Sequence, residues 1–176
     1  MLLIVGRLAP EKRWGLVIEA AVAAGGRRPI GLLLVGHGSE RAALTRRIAG
    51  NPHIRISPPV DRDAMACLLA SADVLVHGCE AETSGLIVAE ARASGLPLVV
   101  PDEGGAPDQL SAGAGAIYRA ANVHSLLHAI EAIVSDLPSV RRHAPDGSRQ
   151  VATMDDHFHR LATLYKRLIR PLAKVA

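Results

Sequence analysis

The sequence predicts an α/β fold, a parallel sheet of about six strands with helices on both faces. Two observations predict it. Short apolar-rich runs recur at residues 2–6, 30–35, 54–57, 74–77 and 98–101, and AGAGAIY at 112–118 has room for a sixth, short strand. Runs of that length without polar alternation are strands buried on both faces. Between them lie stretches with helical patterning, and a chain that alternates strand and helix builds a parallel sheet. Hydrophobic residues make up 49% of 176 residues, enough for the core of one domain or one lobe of something larger.

The first strand is followed directly by Arg7, then by a Pro-bearing loop with Glu11 and Lys12 and a helix over 14–24. In an open parallel sheet, ligands bind beyond the carboxyl ends of the strands. Arg7 and Lys12 stand at such an end, where they could neutralise a diphosphate without a metal; a solvated basic loop would carry the same residues. The second strand runs into Gly36-His37-Gly38 and a helix to about residue 49. That turn is too short for the G-x-G-x-x-G of a dinucleotide site. Its glycines read as a turn that lets something approach the backbone closely, and His37 as a turn residue. The third strand ends at the rigid Pro58-Pro59 turn, and a helix over 62–70 follows. Asp61 and Asp63 form a D-x-D, a pattern used for metals elsewhere, but here they open a helix, as N-cap and first-turn acid. His77 closes the fourth strand next to the stretch at 79–105, where it could line a site, but it reads first as a satisfied structural histidine.

The most informative stretch is CEAETSGLIVAEARASGLPLVVPDEGG, residues 79–105, a loop, a helix, a turn and a strand. Thr83 and Ser84 can cap a helix that starts near Gly85. The free N–H groups of Gly85, Leu86 and Ile87 would then suit an anion such as a phosphate. The helix is apolar nearly all round, so it is expected to be covered on most sides. Glu90 within it then needs a partner, either a sugar hydroxyl or a neighbouring arginine. Gly104 and Gly105 follow the fifth strand at its carboxyl end. A helix over 123–136 carries His124 and His128 one turn apart, with no third ligand nearby, and reads as a solvated face. A helical piece over 138–143, a PDGSRQ loop and an amphipathic helix over 155–170 complete the chain. The last helix lines up Phe158, Leu161, Leu164, Tyr165 and Leu168 on one stripe.

Composition narrows the function classes. Trp14, Tyr118, Phe158 and Tyr165 are the whole aromatic complement, 2% of the chain, which leaves no stacking platform for single-stranded nucleic acid. Residues 1–140 carry 12 basic against 14 acidic side chains, and residues 141–176 carry 8 against 3, so the net charge of +3 resides in the tail. Cys67 and Cys79 have neither metal nor redox spacing and are expected as free thiols in a reducing cytoplasm. No apolar run reaches membrane-spanning length and no signal peptide is visible. Met1 leads straight into an apolar strand, as in a chain that starts inside a larger architecture. The basic, amphipathic tail would suit peripheral contact with anionic lipid at the inner face of the membrane, or docking to a partner domain.

VGRLAPEKR, LLLVGHG and above all AETSGLIVAEARASGLPLVV resemble the donor-binding, C-terminal half of retaining GT-B glycosyltransferases, the group 1 family that includes bacterial mannosyl- and glucosyltransferases. The resemblance covers about residues 1–170, and the family's E-x7-E stands here as Glu82 and Glu90. It implies a Rossmann-like domain that binds a nucleotide-diphosphate sugar and needs no cofactor or metal. Arg7 and Lys12 would bind the diphosphate and stabilise it as leaving group, beside Gly6 in the opening G-R motif. Glu82 would face the transferred sugar and Glu90 would hold the ribose hydroxyls. The N–H groups of Gly85 and Leu86 would touch the distal phosphate, with Ser84 beside them in the donor site. Gly36, Gly38 and the 57–60 segment with Pro58 would lie near the ribose and base. Two positions depart from the family: Ser84 replaces the usual aromatic, and the common Lys-Gly pair reads Lys12-Arg13.

The resemblance implies a glycosyltransferase that moves a hexose with retention, and an N-terminal acceptor domain that is missing or separate. The helix over 155–170 is expected to pack toward that domain, and the chain alone is expected to lack turnover. A non-catalytic nucleotide-sugar-binding module, a subunit of a split enzyme and a GT-B sugar-nucleotide epimerase are the alternatives.

Overall fold

The structure, a computed structural model, describes residues 1–148 and 151–169. Six strands form one sheet: β1 (Leu2–Val5), β2 (Leu32–Val35), β3 (Ile54–Ser57), β4 (Val74–Val76), β5 (Leu98–Pro101) and β6 (Gly115–Tyr118). All neighbours pair in parallel, in the order β3-β2-β1-β4-β5-β6. The order reverses direction between β1 and β4, which opens a crevice at their carboxyl ends, the place where such sheets hold ligands.

Alternation along the strands feeds two cores. Leu2 and Ile4 of β1, with Val74 and Val76 of β4, face α1 (Trp14–Gly25) and α5 (Val123–Ser135) through Trp14, Val17, Ile18, Leu126 and Ile130. Leu3, Leu75, Leu98 and Val100 face the opposite way, onto Leu69 of α3 (Arg62–Ser71) and Val88 and Ala91 of α4 (Leu86–Ala93). The central strands β1, β2, β4 and β5 are covered on both faces and read as apolar runs, whereas the edge strands β3 and β6 are partly exposed and β3 carries Arg55 and Ser57. A shorter helix, α2 (Arg41–Arg47), joins β2 to β3.

The first five strands agree with the sequence expectation to within two residues, β6 occupies the last four residues of its predicted run, and α6 differs from the expectation. The PDGSRQ loop is helical as far as Ser148, because α6 (Leu137–Ser148) continues through Pro145; Arg149 and Gln150 lie outside the described residues. Buried Ala144 anchors that turn, and Pro145 rests against Gly95 at the end of α4. The last helix, α7 (Met154–Ile169), forms as expected, with Arg170 outside the described residues. It buries none of its side chains, and Phe158 is 67% exposed, so its apolar stripe is bare in this chain. Among the described residues no helix is long and apolar enough to cross a membrane.

Candidate functional site

The loops leaving β1, β2 and β4 meet over the crevice. The β1 loop is held by the Trp14 indole, whose N–H donates to Arg7 O at 2.9 Å, and by Leu8 N, which donates to His37 O at 2.7 Å. Both approaches depend on missing side chains. A Cβ on Gly36, whose φ is +158°, would stand 1.9 Å from Gly6 O, and one on Gly78 would stand 2.5 Å from Lys12 O. The partner that the Gly36-His37-Gly38 turn admits so closely is therefore the chain's own β1 loop.

That closure brings Lys12 onto the loop after β4. Its Nζ donates to Glu82 Oε2 at 2.7 Å across 70 positions of sequence, with side chains 19% and 25% exposed. His77 Nε2 lies 3.2 Å from the same oxygen but out of hydrogen-bonding alignment, so this buried nitrogen has no hydrogen-bond partner among the described residues. Burial holds the His77 imidazole below its usual pKa; the Glu82 carboxylate opposes this and the Lys12 ammonium adds to it. Beside them Arg13 pairs with Glu80 at 2.9 Å. The Glu82 segment is itself pinned: Gly105 N donates to Glu82 O at 2.8 Å and Gln109 Nε2 to Ser84 O at 2.7 Å.

Helix α4 begins where the sequence places it, but with a different cap. Gly85 is the N-cap, in the left-handed region at φ 49°, and neither Thr83 nor Ser84 makes a side-chain cap. Val88 N and Ala89 N both donate to Gly85 O. The N–H groups of Gly85, Leu86 and Ile87 have no acceptor among the described residues and are open to an anion. The expectation that α4 is covered on most sides is corrected: only Val88 and Ala91 are buried, and Leu86 is 73% exposed. Glu90 is exposed too, so burial does not demand a partner for it, and its carboxylate has neither an ion pair nor a hydrogen bond among the described residues.

Two cavities flank this core. One of about 470 Å³ has Glu90 of α4 on one wall and Asp61, Arg62 and Leu69 of the α3 side on the other. One of about 260 Å³ lies over the ends of β1 and β2, lined by Gly6, Arg7, Gly36, His37 and Pro59. Val60 and Met65 belong to both, so the two form one groove. Arg7 reaches it from the β1 end while its guanidinium pairs with Glu11 at 2.5 Å. Asp61 caps α3, accepting from Ala64 N at 2.8 Å, as the D-x-D spacing suggests.

Of the sequence-predicted residues, then, Lys12, Glu82, Ser84, Gly85 and Leu86 gather at the start of α4. Arg7, Gly6, Gly36 and Glu90 line the adjoining groove, next to Pro58 and Gly38. Sequence reasoning gave Gly78, Glu80 and Gln109 no role, named Arg13 only as a departure from the family, and read His77 as a satisfied structural histidine, whereas its Nε2 has no hydrogen-bond partner among the described residues. Only His77 carried a local signal, a titratable group ending an apolar strand beside an acidic loop.

This sheet order, with a cation and a helix start facing each other across the switch point, defines a Rossmann-like GT-B domain. The chain belongs to the glycosyltransferase family described as "Glycosyl transferases group 1", whose pattern matches residues 1–149. A GDP-mannose-dependent alpha-mannosyltransferase of Mycolicibacterium smegmatis is 38% identical over 104 residues, 59% of this chain and 26% of that protein. A GDP-mannose-dependent alpha-(1-6)-phosphatidylinositol dimannoside mannosyltransferase of Mycobacterium tuberculosis is 35% identical over 136 residues, 77% of this chain and 35% of that protein. The chain thus spans about a quarter to a third of the length of these relatives. Among solved structures, the pneumococcal O-GlcNAc transferase GtfA in complex with UDP and GlcNAc matches with a TM-score of 0.83 at 19% identity, covering 95% of this chain and 35% of that one. The catalytic domain of cholesterol-alpha-glucosyltransferase from Helicobacter pylori matches with a TM-score of 0.71 at 18% identity, covering 85% of this chain and 96% of that one. These two likenesses are of fold.

Proposed function

We propose that this chain is the donor half of a retaining hexosyltransferase that takes its sugar from a nucleotide diphosphate, with GDP-mannose as the favoured donor. The observation that carries the reading is the convergence of Lys12, the Glu82 loop and the open N–H groups of α4 at the switch point, beside a groove lined by Arg7 and Glu90. A diphosphate at the start of α4 meets the helix dipole and Lys12, with Arg7 in the adjoining groove; fixed positive charge of this kind stabilises a departing nucleoside diphosphate and does not call for a metal. In this reading Glu90 accepts from ribose hydroxyls along the groove, and Glu82 orients the sugar rather than attacking it. The choice of GDP-mannose rests on the names of relatives that are 35–38% identical to this chain over the 104 and 136 residues aligned.

Acceptor recognition is assigned to an N-terminal domain outside these residues, with the bare stripe of α7 as the face turned toward it, and turnover is expected only with that domain present. The free cysteines, Cys67 and Cys79, suit a cytoplasmic protein. Calorimetric titration of the chain with GDP-mannose, UDP-glucose and GDP tests the donor reading. Saturable binding of GDP-mannose supports it, and absence of binding by all three removes it.

A further inference from the structure

Two side chains from different elements address one carboxylate oxygen. Lys12 Nζ and His77 Nε2 lie 2.7 Å and 3.2 Å from Glu82 Oε2. Lys12 has the hydrogen bond, and His77 Nε2 is left as an orphaned polar atom on a ring that is 4% exposed. Native structures rarely leave such an atom without a reason. The ring has little freedom to escape. His77 N donates to Val99 O at 2.8 Å, and the Tyr118 hydroxyl donates to His77 O at 3.1 Å, so its backbone is fastened to β5 and β6. Glu82 is the movable member, because the last torsion of a glutamate has a broad, roughly two-fold profile.

In the donor reading, Lys12 serves two anions in turn, Glu82 without ligand and the diphosphate with it. Resting on that reading, we infer that His77 is the positioning residue for Glu82: when the diphosphate draws Lys12 away, His77 takes one proton from solvent and donates Nε2–H to Glu82, keeping that carboxylate in place.

The charges around the ring support this order of events. Without donor, Lys12 is one of the two influences that hold the imidazole neutral, the other being burial. Drawing the ammonium onto a diphosphate cancels its effect on the ring and brings further negative charge near, while Glu82 loses its cation and gains need of a donor. The remaining groups nearby do not compete. Arg13 and Glu80 neutralise each other at 2.9 Å. The Tyr118 phenol is pushed up by burial and stays neutral. Cys79, two residues on, meets the ring through its backbone.

Donor binding is then coupled to proton uptake. A group whose pKa rises on binding strengthens binding at lower pH, so affinity for GDP-mannose falls as pH climbs from the free to the bound value. The slope approaches about tenfold per pH unit within that window.

The test is calorimetry of the chain with GDP-mannose near neutral pH in phosphate, HEPES and Tris, whose ionisation enthalpies differ. The observed enthalpy should vary linearly with the buffer's, with uptake on the order of one proton. His77→Gln, which can donate to Glu82 but cannot titrate, should bind with no buffer dependence and a flat pH profile. Binding without buffer dependence in the native chain, or equal dependence in His77→Gln, overturns the inference and leaves the donor reading standing. Failure of GDP-mannose, UDP-glucose and GDP to bind overturns both. Should His77→Gln not fold, nitrogen NMR of the native chain with labelled histidine decides. A buried ring that becomes imidazolium on saturation supports the inference, and one that stays neutral ends it.

Discussion

Glu82 and Glu90 belong to one motif, yet the two ends of the site they mark are built differently. Glu82 sits among partners the chain supplies: Lys12 on its carboxylate, Gly105 on its carbonyl and His77 beneath it. Glu90 stands exposed on a groove wall with no partner for its carboxylate among the described residues. The first end is fixed before any ligand arrives, by loops that touch backbone to backbone. The second end is a surface that waits. Function and stability are therefore entangled at the first end and separable at the second, and mutations can show how sharply.

The largest effect is expected where the loops touch. Gly36→Ala places a Cβ 1.9 Å from Gly6 O, which only movement of the β1 loop can relieve. Urea denaturation should show a loss of roughly 3 kcal/mol or more. Gly50 is the control: its φ is +83° but nothing lies within 4 Å of its Cβ position. Alanine there should cost only about 1–2 kcal/mol, the backbone term alone. Equal losses at the two positions would mean that the loop contact does not hold the first end.

Lys12→Met comes next. It leaves Glu82 partly buried without its cation, with only the buried His77 ring beside it. The expected loss is roughly 1–3 kcal/mol of stability, with binding of GDP-mannose weakened about 100-fold or more by calorimetry. Glu90→Gln should separate the two properties. Stability should stay within about 0.5 kcal/mol of the native chain, while GDP-mannose binding falls roughly 10-fold, the worth of one charge-assisted hydrogen bond. Inorganic pyrophosphate, which has no ribose, should bind Glu90→Gln and the native chain alike. A large loss of stability in Glu90→Gln would erase the contrast between the ends.

The same contrast explains what the sequence made legible. Strands buried on both faces have no choice but to be apolar, so the four central strands could be placed, and with them the residues at their carboxyl ends; the edge strands β3 and β6 are partly exposed and carried a weaker signal. The apolar face of α4 misled for a physical reason: hydrophobic pattern does not distinguish a side chain covered by protein from one on an open groove. Leu86 looked like core and is exposed, and Glu90 looked costly and is solvated. The cap on α4 was misplaced because Thr83 and Ser84 have the right chemistry, while the loop, pinned by Gly105 and Gln109, sets Gly85 there in a left-handed conformation. The Lys12–Glu82–His77 cluster was out of reach, since nothing local tells residue 12 that residue 82 is its neighbour. Pro145 shows the converse, with strong local turn signals overridden by the seat of α6 against Gly95.

The smallest effect tests whether the groove end really waits on a ligand. Arg7 pairs there with Glu11 at 2.5 Å, one turn apart, and its side chain is 70% exposed. An exposed pair of this spacing adds little to stability, so Glu11→Ala should leave the melting temperature unchanged. It should nonetheless release Arg7 from a competing anion and bring a modest gain, about two-fold, in affinity for GDP-mannose at low ionic strength. Near 1 M salt, where the screening length is only about 3 Å, the gain should vanish. The sign is what matters: weaker binding in Glu11→Ala would show that Glu11 orients Arg7 toward the diphosphate instead of competing with it. The groove end would then be as firmly arranged before ligand arrives as the end held by Lys12.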